Sequence, residues 1–286
     1  MIKADFHIHT TASDGRITPA AILRLAAAAG LTHIAITDHD TVDGLLALEE
    51  VEAPAELSVL NGIEFSTDRA DCEIHILGYG LDIHHSGLRR RLAVLQEARL
   101  TRIGRMAAAV TALGYPVSEQ EVMAAAAGAA AVGRPHLAGV LVAKGYFVSV
   151  SDVFARLLGK GKPGYIPHYR LAAREVVDSI HEAGGIAVLA HPGLVGDDRQ
   201  VAAVVALGLD GIEVYHPRHD GAAVARYLEL AGKRGLLITG GSDYHAIPGR
   251  FPERLGEFMV PDAVAALVIK RLSPHSPAGS CCMRRE

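Results

Sequence analysis

The sequence predicts an α/β fold: a seven-stranded β/α barrel interrupted by an all-helical insertion. Three observations predict it. Short apolar runs alternate with helical segments at the pace of βα units in both the first and last thirds of the chain. Between about residues 86 and 162 that alternation stops and helical periodicity takes over. Nearly every expected strand also ends in a His, Asp or Glu, and the C-terminal ends of the strands are where β/α barrels carry their active sites. With 286 residues, 50% of them apolar, the chain is large enough to bury such a barrel.

The first strand is Asp5-Phe6-His7-Ile8-His9-Thr10. Side chains 5, 7 and 9 share one face of an extended chain, so His7 and His9 point the same way with an acid behind them. Such a pair is a good half-site for a divalent metal and poor core packing. Thr18-Pro19 then reads as an N-cap with proline at the first helical position, and Gly30 closes that helix. Residues 33–37 form a buried strand that ends at Asp38-His39-Asp40, and a short helix follows over 43–51. Next come a strand ending at Gly62-Ile63-Glu64 and another over 73–79 that contains His75.

A long basic helix is expected over 88–113, with shorter ones beginning near Ser118, Pro135 and Ser151. Gly159-Lys160-Gly161-Lys162-Pro163-Gly164 forms the return linker. After a helix over 172–183, strands 186–190, 211–215 and 236–239 end at His191, at His216 and at Ser242-Asp243-Tyr244-His245. Residues 1–85 and 164–272 are therefore assigned to the barrel and 86–163 to the insertion. The Pro-, Ser- and Gly-rich segment 273–286 is expected to be a disordered tail.

A net charge of −4 argues against general polyanion binding and leaves room only for a local basic patch. Fifteen histidines point to metal chemistry. Cys72, Cys281 and Cys282 make neither a disulfide framework nor a zinc spacing. Neither a secretory leader nor an apolar span of membrane length is evident, so a cytoplasmic protein with no membrane partner is expected.

The candidate site comprises His7, His9, Asp14, Asp38, His39, Glu64, His75, His191, Asp243 and His245. Imidazole and carboxylate ligands suit zinc, manganese and iron. A lone strand histidine is more often a hydrogen-bonded core or surface residue. Six histidines gathered at strand ends with four acids are hard to explain by folding alone.

The motifs Asp5-x-His7-x-His9-Thr10, Thr37-Asp38-His39-Asp40, Gly62-Ile63-Glu64, Ala190-His191-Pro192 and Ser242-Asp243-Tyr244-His245 resemble those of the PHP (polymerase and histidinol phosphatase) family. The similarity covers about residues 1–272 and is greatest to the family's stand-alone phosphoesterases with a helical insertion. It implies a distorted, TIM-like seven-stranded barrel. It also implies a metal-dependent phosphoesterase acting on a phosphate monoester of a nucleoside 3′,5′-bisphosphate or on the 5′ end of a short RNA. Three divalent ions are expected, manganese first, with iron or zinc as alternatives. The resemblance places the first on His7, His9, Glu64 and Asp243, the second on Glu64, His75 and His191, and the third on Asp14, His39 and His245. Metals this close favour a bridging hydroxide as nucleophile, so no serine or cysteine nucleophile is required. His191, His245 and Asp243 are the expected catalytic residues, and a histidine near the cluster or a metal-bound water would protonate the leaving alkoxide. Asp38 is expected to orient the neighbouring His39 ring, and Asp40 to be a loop carboxylate or cap. Ala246 stands where relatives often have glycine.

For substrate contacts, Gly133-Arg134-Pro135-His136 opens an expected helix, so Arg134 and His136 could hold a phosphate or merely cap the surface. His168 and His216 are expected to line the pocket. Arg170 and Lys162 fit a solvated surface better. Arg89, Arg90, Arg91, Arg99, Arg102 and Arg105 either guide a polyanion or form an ordinary solvated helix face. The expected partner is a small phosphorylated molecule or short RNA, with no stable duplex nucleic acid. Alternatives are a histidinol-phosphatase-type enzyme, a C–N bond amidohydrolase and a non-catalytic metal-binding module. The amidohydrolase ranks lower because the six lysines miss the expected strand ends.

Overall fold

The computed structural model describes residues 1–69, 72–126, 131–167 and 169–273. Its strands are β1 (Ala4–Ile8), β2 (His33–Ile36), β3 (Ser58–Arg69), β4 (Cys72–Tyr79), β5 (Ile186–Leu189), β6 (Gly211–Tyr215) and β7 (Leu237–Gly240), hydrogen-bonded in chain order as one seven-stranded sheet. The segment after β7 returns to β1. A parallel bridge joins Ile8 to Tyr244, and the His9 N–H donates to the Tyr244 carbonyl at 2.9 Å. This curls the sheet into a nearly closed barrel. A glycine is needed where the chain crosses β1, because a Cβ on Gly241 would lie 2.2 Å from His7 Cβ.

Uniform parallel βα units are not what forms. β3 pairs antiparallel with β4, and β4 antiparallel with β5, while the other neighbouring pairs are parallel. The chain between β3 and β4 is too short for a crossover helix, so only a hairpin is possible. β3 therefore continues past Glu64 to Arg69, with Glu64 opposite Leu77 and Ser66 opposite His75. Because β4 runs backwards, His75 in its first half reaches the same mouth that the parallel strands reach at their ends.

The helices are α1 (Pro19–Ala28), α2 (Asp43–Leu46), α3 (Ser86–Ala112), α4 (Glu119–Ala125), α5 (Arg134–Ala143), α6 (Val150–Val153), α7 (Ala173–Glu182), α8 (Asp198–Val205), α9 (Gly221–Arg234) and α10 (Asp262–Leu272). α6 runs on into a π-helical turn, Phe154–Leu158. Local chemistry sets several of their ends. His85 accepts the Leu88 N–H ahead of α3, and Ser118 and Glu121 form a reciprocal capping box at α4. Ile22, Ile34, Ile36, Ile63, Phe65, Ile74, Val176 and Ile180 belong to the main apolar core, which packs helices on the sheet. A separate cluster of Ile103, Met106, Val110, Leu137, Leu141 and Leu157 unites α3, α5 and the π-helical turn. Among the described residues no helix is long and apolar enough to cross a membrane. The expected disordered tail beyond Ser273, with Cys281 and Cys282, lies outside the described residues.

Four non-glycine residues adopt positive φ: Asp40 (50°), His191 (25°), Asp243 (53°) and Ala246 (57°). The first three belong to the site motifs, and Ala246 follows the last of them. A left-handed alanine costs about 1–2 kcal/mol that glycine avoids, partly offset by glycine's greater unfolded-state entropy. Ala246→Gly should therefore stabilise the protein by roughly 0.5–1 kcal/mol, seen as a melting temperature higher by about 2 °C in a thermal scan.

Candidate active site

Glu64 lies at the centre of the barrel mouth, fully buried. Its Oε2 is 3.2 Å from His7 Nε2 and 3.1 Å from both His9 Nε2 and His39 Nδ1. Its Oε1 is 2.8 Å from His75 Nδ1 and 2.9 Å from His191 Nε2. Asp243 Oδ1 approaches His9 Nε2 at 3.4 Å and His7 Nε2 at 3.7 Å. Beyond His9, Asp14 Oδ1 lies 3.1 Å from His245 Nε2 and 4.0 Å from His39 Nε2. Three sets have ligand atoms within 4.8 Å of one another: His7, His9, Glu64 and Asp243; His9, Asp14, His39 and His245; and His39, Glu64 and His75.

These donors fit divalent cations. Among the described residues His9 Nδ1, Asp14 Oδ1, His39 Nδ1, Glu64 Oε2 and His75 Nε2 are buried without a hydrogen-bond partner. His7 Nε2 and His9 Nε2 also face each other at 3.1 Å, an arrangement that two neutral ring nitrogens turned toward a shared cation adopt. Supporting groups fix the tautomers. His7 Nδ1 donates to Glu213 Oε1 at 3.0 Å, and His245 Nδ1 donates to the Asp243 carbonyl at 2.8 Å, leaving each Nε2 lone pair directed inward. Glu213 also accepts the His191 N–H at 2.7 Å. Although sequence reasoning passed over Glu213, a carboxylate inside the apolar strand Gly211–Tyr215 was the available signal.

Asp38 and Asp40 do different work from that expected. Asp38 accepts the Thr10 N–H and hydroxyl, both at 2.7 Å, and the Ser13 hydroxyl at 2.5 Å. It thus anchors the loop carrying Asp14 rather than the His39 ring. Asp40 is a buried ion-pair partner of Arg99 and accepts the Ser66 N–H at 2.9 Å.

A cavity of about 110 Å³ opens beside this mouth, with Asp14, His39 and His75 shared between the two. Arg99, Arg102, Arg134 and Arg170 line it, together with Ser66, Glu73 and Phe154. Arg99 and Arg102 are buried, so they are not part of a solvated helix face. Arg102 donates to the Ile166 carbonyl at 2.7 Å, and burial with Arg134 and Arg99 nearby lowers its pKa to about 9. Arg170, expected at the surface, bonds Glu73 Oε1 at 2.5 Å. Arg134 stacks 5.4 Å from the Phe154 ring centroid, whereas His136 accepts the Gly133 N–H and so caps α5. His216 is buried on the other side of the mouth, with Nε2 3.6 Å from Asp243 Oδ2. His168 lies outside the described residues.

A buried imidazole–carboxylate cluster at a barrel mouth, joined to an arginine-lined cleft, defines a metal-dependent phosphoesterase. The PHP domain model matches residues 5–131. A 3′,5′-nucleoside bisphosphate phosphatase of Chromobacterium violaceum is 34% identical over 87% of this chain and 89% of its own length. A 5′-3′ exoribonuclease Rnm of Salmonella typhimurium is 36% identical over 84% of each chain. The crystal structure of a candidate metal-dependent phosphoesterase from Bifidobacterium adolescentis superposes with a TM-score of 0.81 at 34% identity, covering 94% of this chain and 96% of that one. The chain belongs to the PHP-domain family, and it is a phosphoric ester hydrolase.

Electrostatics ties metal binding to protons. Burial opposes charge on Glu64, Asp14 and Asp243, yet the imidazoles around them hold all three well below the usual carboxylate range. Burial also disfavours charged His9 and His75. Hydrogen bonds that its ring donates to Asp243 and Glu64 nevertheless raise His9 to about 9, and the Glu64 charge raises His75 to about 10. At His39 burial wins and lowers the pKa to about 3. The metal-free protein thus keeps protons on His9 and His75 at neutral pH. Histidines with raised native pKa values stabilise the fold below their unfolded value of about 6.5 and lose that contribution as pH rises through 9 to 10. The melting temperature of metal-free protein should fall between about pH 6.5 and 9, and manganese should reverse the fall while releasing protons into weak buffer.

Proposed function

We propose that this chain removes a phosphate monoester from a nucleoside 3′,5′-bisphosphate or from the 5′ end of a short RNA. The observation that carries this reading is the arginine-lined cleft running directly into the ligand cluster. Divalent ions held by the nine residues His7, His9, Asp14, His39, Glu64, His75, His191, Asp243 and His245, three ions with manganese first, would supply an activated water and neutralise the phosphoryl oxygens.

The chain's own residues do the rest. Arg134 and Arg170 grip the substrate's second phosphate by charge-assisted bonds and so fix where the scissile group sits, while Arg99, paired with Asp40, and Arg102, bonded to the Ile166 carbonyl, add positive charge to the same wall. Ser66, beside Arg99, adds a hydroxyl to that wall. His216 Nδ1 accepts the Arg218 N–H, so its Nε2 carries the ring proton next to Asp243, where it would serve to protonate a leaving oxygen. A mononucleotide or a single-stranded end, rather than a stable duplex, is the substrate this reading takes. With Asp40 and Glu73 set against them, the four arginines still leave a positive wall beside the cluster, which favours a substrate with a second phosphate, such as a nucleoside bisphosphate, over a histidinol-phosphate-type substrate. A cytoplasmic setting fits the low cysteine content.

Manganese-loaded protein should release inorganic phosphate from adenosine 3′,5′-bisphosphate, and Asp243→Ala should abolish the release. Arg134→Ala should raise KM roughly tenfold to a hundredfold with a smaller effect on kcat, as expected for a lost charged hydrogen bond. Failure of the wild-type protein on a broad panel of phosphate esters would remove the proposal.

A further inference from the structure

Glu73 sits in the first half of β4, two residues before His75, and lines the arginine cleft. A single oxygen, Oε1, faces three groups: Arg170 Nη2 at 2.5 Å, His75 Nε2 at 3.5 Å and Arg134 Nη2 at 3.6 Å. The carboxylate therefore occupies the place between two arginines that an anionic substrate group would take. Its side chain is 48% exposed, so it can swing into solvent. Asp40, with a side chain 0% exposed, has no such exit from Arg99. Arg102 bonds a backbone carbonyl. The cleft thus pairs one permanent counter-charge with one that can leave.

We infer that Glu73 is a specificity-determining residue: it closes the cleft to singly charged groups and yields only to a terminal, doubly charged phosphate. A phosphate monoester carries nearly two negative charges at neutral pH, whereas the diester inside an RNA chain carries one. A monoanion replaces the carboxylate charge for charge and gains little from the arginines. A dianion gains the difference. The preferred substrate class is therefore a nucleoside bearing two terminal phosphates, ahead of a 5′-phosphorylated oligonucleotide whose next phosphate is a diester. This deepens the phosphoesterase reading and rests on it.

Two measurements on the full chain test the inference. In equilibrium dialysis of metal-free protein with inorganic phosphate, Glu73→Gln should bind about tenfold more tightly than wild type, since one nearby opposing charge is removed. With manganese-loaded enzyme, the ratio of kcat/KM for adenosine 3′,5′-bisphosphate over a 5′-phosphorylated dinucleotide should fall about tenfold in Glu73→Gln and be restored in Glu73→Asp. Unchanged or weaker phosphate binding by Glu73→Gln would overturn the inference. So would an equal loss on both substrates with weaker manganese uptake, which would make Glu73 a brace for His75. Should wild-type enzyme act on neither ester, the phosphoesterase reading fails while the dialysis still decides the role of Glu73.

Discussion

One carboxylate surrounded by five imidazoles governs the architecture. Glu64 is fully buried, and His7, His9, His39, His75 and His191 all reach it within 3.2 Å. A charge taken out of water at that depth is tolerable only with opposite charge and hydrogen bonds in place. Among the described residues, several buried ring nitrogens and carboxylate oxygens around it lack a hydrogen-bond partner, and divalent cations are groups that would satisfy them. The barrel is the device that delivers these side chains, since β1, β4 and the chain just beyond β2 and β5 all converge on β3.

The helical segment between β4 and β5 is tied into this centre. Arg99 on α3 reaches the carboxylate of Asp40, next to His39, and the Ser66 hydroxyl. Breaking one side of a buried pair of this kind costs about 3–5 kcal/mol. The ion pair therefore couples the arginine-lined wall of the cleft to the loop that presents His39 to the cluster. Asp40, His191 and Asp243 each hold a left-handed backbone that only the surrounding packing maintains. Local strain of this kind is concentrated where function demands a side-chain direction that regular structure does not provide.

The imidazole–carboxylate cluster was legible because period-2 alternation and strand-end placement are local properties. His7 and His9 share a face in any extended chain, and His39, His191 and His245 each follow an apolar run. The strand count and the positions of α3, α4, α5 and α7 were legible for the same reason. The direction of β4 was missed, because apolar alternation is the same in parallel and antiparallel strands; the available signal was the short stretch between Glu64 and Glu73, which leaves no room for a crossover. The cleft was also hidden. Arg99 and Arg102 on a charged helix, and Arg170 in a loop, look solvated in sequence, and only the fold brings them together over Glu73 and Asp40. His136 shows the converse, a polar residue at a helix start whose ring is used to cap Gly133.

The reversed strand β4 has one further consequence. The hairpin it forms with β3 carries Glu64 and His75 at the cluster and Glu73 two residues farther out, beside Arg170. Glu73 and His75 stand on one face of β4, so exchanging the outer residue would alter the charge facing the arginines while the pairing of Ser66 with His75 stays where it is. What the cleft recognises can therefore change through one side chain without rebuilding the imidazole–carboxylate centre beside it.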